Sequence, residues 1–134
     1  MKKIKDVIRI TGLSRRTLQY YDEQCLVVPK RTKENYRLYS ENDLWKLWKI
    51  LIYKEMGFQL DEITILIETS EEKFHCLLEQ KLSTIQNEME ELSFKYRFVE
   101  KVLRYGIPDK NIVERIARVS TYKEMIKCLA EKCC

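Results

Sequence analysis

Residues that carry covalent or acid–base chemistry are scarce in this sequence. Among its 134 residues there is one histidine, His75, with three glycines and two prolines. There is no glycine-rich phosphate loop, and no pair of carboxylates stands out from ordinary charged helix faces, so the composition argues against an enzyme. Long apolar runs are missing as well. A membrane span needs roughly 20 consecutive apolar residues; no run comes near that, and the Met1 end lacks the apolar stretch of a signal peptide. The expected compartment is the cytosol, with no membrane partner. Cysteine is present without forming a framework. Cys25, Cys76, Cys128, Cys133 and Cys134 are odd in number, and in a reducing compartment they are expected as thiols.

Apolar and charged residues are both plentiful. Hydrophobic residues make up 45% and charged residues 34%, enough for one small domain plus an extension and short of two full cores. The net charge of +4 hides an asymmetry. Residues 1–58 hold 13 of the 25 basic residues and 7 of the 21 acidic ones, a balance of +6, and the remainder carries −2. Such a front suits a phosphate backbone through counterion release, although an excess of this size also fits an ordinary solvated surface.

The basic front has helical order. Ile4, Val7 and Ile8 recur at helix spacing, Gly12 is placed for a left-handed stop, and Ser14 can cap a second helix. In that second helix, SRRTLQYYDE, Arg15, Arg16, Gln19 and Tyr20 form one stripe while Leu18 and Tyr21 turn inward. Two short helices around a tight turn make a helix-turn-helix, whose second helix offers its outer face to the major groove. Arginines, an amide and a phenol suit base edges and phosphates there. A solvent-exposed polar face would read the same way from this stretch alone.

The following segment adds a wing. Extended runs are expected at Leu26–Val28 and Tyr36–Tyr39 around the basic tip PKRTKEN, with Pro29 ending the first and Asn35 able to take the positive φ of a tight loop. Lys30, Arg31, Lys33 and Arg37 would then reach backbone phosphates, with Tyr36 adding a hydroxyl. Ser40 and Asp43 form a capping box for a third helix. Its expected buried stripe is Leu44, Leu47, Trp48, Leu51 and Ile52, ending at Gly57, and Trp45 and Trp48 read as core rather than as a base-stacking platform. Leu60, Ile63, Leu66 and Ile67 mark a fourth helix.

At this point the chain resembles the winged-helix DNA-binding domain of the MerR family of bacterial transcription regulators. The resemblance covers about half the chain and rests on TGLSRRTLQYYDE, NYRLYSENDL and KEMGFQLDEI. It implies a DNA-facing set of Ser14, Arg15, Arg16, Thr17, Gln19 and Tyr20 on the helix, with Lys30, Arg31, Tyr36 and Arg37 on the wing. Gln19 stands where the family most often has Arg, Cys25 where Gly is common, Asn35 in place of a wing glycine, and Gln59 where Ser or Thr would cap the fourth helix. A left-handed turn at Cys25 would be strained.

After Thr69 no Gly or Pro occurs until Gly106. Leu78, Leu82, Ile85, Met89, Leu92, Tyr96, Val99 and Leu103 step by four and three, a heptad seam that calls for a partner. The resemblance implies an antiparallel coiled coil between two protomers, which sets two recognition helices on the half-sites of a palindrome. The tail should form two short helices. Ile112, Val113, Ile116 and Val119 mark the first; a Thr121/Glu124 capping box opens the second, with the face Tyr122, Met125, Ile126 and Leu129. Family members that bind bulky drugs carry a longer C-terminal domain, so the expected effector is small, seated between tail and dimer helix beneath Tyr122 and Met125. Metal-sensing relatives join a cysteine near the start of the dimer helix to cysteines just after it. Cys76 suits the first place, whereas Cys128, Cys133 and Cys134 lie beyond an intervening helix, so no metal site is assigned, soft-metal or oxidant sensing by these thiols stays an alternative, and the cofactor is unknown.

The expected fold is mainly α, with a winged helix-turn-helix and small β-hairpin over residues 1–69, a dimerisation helix over 70–105 and a short helical tail over 106–134. The expected function is an effector-responsive, sequence-specific regulator, a homodimer that distorts a promoter spacer. Its partners would be double-stranded DNA, RNA polymerase, itself and a small effector. The alternative is an architectural DNA-binding or coiled-coil interaction protein without effector response.

Overall fold

The first unit of the molecule closes around Val7, Leu18, Tyr21, Tyr39, Leu47, Ile50 and Ile63, each of which is almost fully buried. The computed structural model describes residues 1–118 and 121–132. It divides into a compact unit over Met1–Leu77 and a second that begins at Leu78. Strand β1 (Lys2–Lys3) leads into α1 (Ile4–Thr11) and α2 (Arg15–Glu23). Between these helices Gly12 takes φ 73° and donates its N–H to Ile8 O at 2.9 Å, and the Ser14 hydroxyl accepts from Thr17 N–H at 3.1 Å. The stop and the cap fall where the sequence placed them.

Strands β2 (Lys30–Arg31) and β3 (Arg37–Tyr39) form the wing, and β1 pairs on the other side of β3 to complete an antiparallel sheet in the order β1-β3-β2. The extended run expected at Leu26–Val28 is not a strand. Leu26 and Val27 instead donate their N–H groups to Tyr21 O, at 2.9 and 3.2 Å, and bury their side chains as the anchor that ends α2. Pairing therefore starts after Pro29, which has no N–H to give. At the wing tip Asn35 has φ 68°, and Thr32 Oγ1 accepts from Tyr36 N–H at 3.0 Å.

Cys25 also takes a positive φ, 58°, at the end of α2, with its side chain exposed. A residue with a Cβ is strained there by about 1 kcal/mol. Cys25→Gly is expected to raise unfolding stability by roughly 0.5–1 kcal/mol, reduced from the full strain by the greater entropy of the unfolded glycine. Urea denaturation measures this, and an unchanged midpoint would show that the turn stores no strain.

Helix α3 (Glu41–Glu55) starts at the expected capping box, with Asp43 N–H donating to Ser40 Oγ at 3.1 Å and Ser40 N–H to Asp43 Oδ2 at 2.9 Å. Its buried face differs from the expected stripe. Leu47 and Ile50 are inside, whereas Trp45 is 53% exposed and Trp48 and Ile52 also face out. The apolar arc of α3 is wider than its neighbours cover, and Trp48 lies about 100° around the helix from Leu47. Helix α4 (Leu60–Glu68) is opened from the other side of the cap, where the Glu62 carboxylate accepts from Gln59 N–H at 3.0 Å. Ile63 and Leu66 are its inward residues.

Helix α5 (Glu71–Tyr105) has 35 residues, about 52 Å at 1.5 Å per residue. Its first turn belongs to the first unit, because the Phe74 ring lies 6.0 Å from that of Tyr53 on α3. Gly106, at φ 81°, closes its far end by donating to Val102 O at 2.7 Å. Most of the heptad seam faces out: Leu82, Met89, Leu92, Tyr96, Val99 and Leu103 are exposed, Leu103 to 86%, while Leu78 and Ile85 are half-buried.

The opposite side of α5 serves the tail. Phe94 and Phe98 stack edge-on at 6.1 Å, and Lys101 Nζ donates to Ala130 O at 2.7 Å and Glu131 O at 3.2 Å, capping the last turn of α7 (Tyr122–Lys132). Helix α6 (Lys110–Ala117) precedes it, capped by Asp109, whose Oδ1 accepts from Asn111 N–H at 2.7 Å. The Thr121/Glu124 box is in place, with reciprocal distances of 3.3 and 3.4 Å. Among the described side chains of α7, Leu129 and Ala130 are buried, but Tyr122 is 73% exposed and stands apart from the inward face expected to include it. The inward set Met125, Ile126, Leu129 and Ala130 is a tight i, i+1, i+4, i+5 strip, and Tyr122 lies outside it. Val119, Cys133 and Cys134 lie outside the described residues. No helix among the described residues is long and apolar enough to cross a membrane.

Candidate nucleic-acid interface

Helix α2 presents the stripe read from its sequence. Leu18 and Tyr21 are 1% exposed, Arg15, Arg16 and Tyr20 face outward, and Gln19 is half-buried. Ser14 and Thr17 are occupied at the helix start, where the Ser14 hydroxyl lies 2.8 Å from Thr17 Oγ1. Together they cap the turn on which Arg15 and Arg16 stand. The phenols of Tyr21 and Tyr39 are buried without hydrogen-bond partners among the described residues, and burial raises the Tyr39 pKa above its usual value, an effect the neighbouring Arg37 cation reduces. The Lys54 ammonium lies 5.5 Å from the centre of the Tyr21 ring, on its face.

The wing is tied to α2 through Asp22, a residue the sequence did not single out. Arg31 and Arg37 stand directly opposite each other on β2 and β3, a like-charge pair that would push the hairpin apart. Asp22 Oδ2 accepts from both, from Arg37 Nε at 2.8 Å and from an Arg31 guanidinium nitrogen at 3.1 Å. Arg31 also donates to Asn35 O at 3.2 Å. One carboxylate, only 14% exposed, thereby fixes the hairpin against the end of the helix. Lys30, Lys33 and Tyr36 stay exposed around this anchor.

Asp22→Asn is expected to cost about 1–3 kcal/mol, because the part-buried Arg37 and the more exposed Arg31 lose their shared charged acceptor. Thermal denaturation checks the loss. Wild-type stability in this variant would mean that the bridge contributes nothing.

Among the described residues no group of three His, Cys, Asp or Glu side chains is placed to hold a metal ion. Cys25 and Cys76 are exposed and Cys128 is half-buried. What the first unit offers is a cationic surface shaped by α2 and the wing.

Comparison with known proteins agrees with that surface. YfmP of Bacillus subtilis, an HTH-type transcriptional regulator, is 31% identical over 132 residues, covering 97% of this chain and 91% of YfmP. Mta of the same organism, an HTH-type transcriptional activator, is 46% identical over 67 residues, covering 49% of this chain and 26% of Mta, so this chain matches only about a quarter of that protein's length. Among solved structures, the N-terminal part of Mta, described as a multidrug transporter activator, superposes with a TM-score of 0.70 at 32% identity, covering 77% of this chain and 98% of that one. With residues 2–70 matching the model of the MerR HTH family regulatory proteins, and a whole-length relative among transcriptional regulators, the chain belongs to the MerR family.

Proposed function

We infer that the protein is a homodimeric, sequence-specific DNA-binding regulator that responds to a small effector. Residues 1–69 read DNA, 70–105 join two protomers, and 106–134 sense the effector. The observation that carries this reading is the Asp22 anchor, which holds a basic wing beside the outward arginines of α2. That arrangement presents two elements to one duplex, a helix for the major groove and a hairpin for the backbone beside it. The exposed seam of α5 supports the second half, since six large apolar side chains left in water call for a partner of the same kind.

Two protomers would place two recognition helices on a palindrome. Bending or untwisting that site costs on the order of several kcal/mol, offset by added phosphate contacts from the wings, and brings promoter elements into register for RNA polymerase. The setting is cytoplasmic. The regulator differs from an architectural protein in that its effector changes transcription without being needed for DNA binding.

Selection of bound duplexes from a random pool tests the reading. It should return an inverted repeat, bound with an affinity that falls steeply with salt. Recovery of unrelated sequences with equal affinity would refute sequence-specific recognition.

A further inference from the structure

We propose that the N-terminal lysines Lys3 and Lys5, together with Arg15 and the wing, form a slot that clamps one DNA backbone phosphate beside each recognition helix. This rests on the DNA-binding reading above and assigns residues that the helix-turn-helix pattern does not include.

A groove of ≈540 Å³ runs between the start of α1 and the wing. Lys3, Lys5, Arg15, Tyr36 and Arg37 contribute to its walls, and Asn35 forms part of the tip. Four cations therefore face one carboxylate, Glu34, on the described lining. Arg37 is already held by Asp22, so the uncommitted charge is that of Lys3, Lys5 and Arg15. Among the described residues no carboxylate pairs with any of these three.

The sheet explains why the lysines gather there. β1 pairs with β3 so that Lys3 lies opposite Leu38, and β2 pairs with the other edge of β3 so that Lys30 also lies opposite Leu38. Residues in register share a face, which sets Lys3 and Lys30 in one row about 10 Å apart across three strands. Arg31, Arg37 and Tyr39 occupy the other face, where Tyr39 is buried and Asp22 binds both arginines. The alternation of the strands thus separates the two sets of cations. One pair shares the single Asp22 carboxylate, and the other is presented on its outer row with no paired carboxylate among the described residues.

The residue types point to phosphate rather than to bases. Lysine offers a point charge on a flexible stem without the planar fork that matches a guanine edge. A row of like charges left unpaired costs stability until an anion is bound, and the backbone beside an occupied major groove supplies one at fixed distance. The slot then positions the domain and adds affinity without adding sequence preference.

The test uses the full chain and the selected duplex. Lys3→Ala/Lys5→Ala should bind on the order of tenfold more weakly at 0.1 M salt, with the salt slope reduced by about one per protomer and the ranking of base variants unchanged. A scan of single methylphosphonate substitutions in the duplex should find one neutralised phosphate per half-site that weakens the wild type and not the double variant. Lys123→Ala/Lys127→Ala on α7 removes equal charge elsewhere and should leave the slope as it is. A wild-type slope in the Lys3/Lys5 variant, or an equal fall in the α7 variant, would overturn the slot while DNA recognition stands. Failure of the wild type to select any duplex would overturn both.

Discussion

Leu92→Lys is expected to convert the protein to a monomer and to weaken operator binding by at least 100-fold. Leu92 is 65% exposed on a single chain, at the middle of a line in which Met89 and Tyr96 are exposed to the same degree. Full burial of each such side chain contributes about 1.5–3 kcal/mol, and a lysine at a core position of the seam would have to carry its charge into that interface. Loss of the dimer also removes the advantage of linked half-sites, which is typically 10²- to 10⁴-fold. Light scattering at micromolar concentration should give the mass of one chain for the variant and of two for the wild type. Asn87→Lys, on the opposite side of the same helix, should leave both dimer and binding intact. A dimeric Leu92→Lys protein would show that the seam is not the interface.

Arg16→Ala has the next largest expected effect, a loss on the order of 100-fold in specific affinity. A guanidinium that forks onto a guanine contributes roughly 1–3 kcal/mol of discrimination, and a dimer loses the contact in both half-sites. Arg16→Lys separates charge from geometry. It keeps the cation and hence the salt dependence, yet should lose base preference at one position of each half-site, since an ammonium cannot reproduce two parallel bonds. Binding of a duplex library reads both quantities together. If Arg16→Lys retains the wild-type preference, Arg16 contacts only backbone.

The two variants bear on different parts of the chain, and both parts were legible in the sequence. The α2 stripe and the α5 seam were plain in the sequence because each depends on one helix alone. Periodicity decides which side chains share a face, and Ser14, Gly12, Ser40 and Gly106 mark the ends through local hydrogen bonds. The misread positions depend on what lies across from them. Leu26 and Val27 have strand-like composition but close α2 onto Tyr21 O, which only the chain's return path could determine. Trp48 suited an apolar stripe whose width the sequence revealed and whose cover it did not.

What the sequence by itself determined is the order of the helices, the caps at Ser14, Ser40 and Thr121 and the two one-sided helices, since these follow from spacing along a single segment. The tertiary structure decided the roles of the cations. Asp22, Arg31 and Arg37 are nine and fifteen positions apart in sequence, and no pattern joins them until the hairpin folds back against α2. Lys3 becomes part of the wing's sheet only through pairing with Leu38. Charge is a long-range and non-periodic property, so its meaning at each residue waits on the neighbours that folding brings.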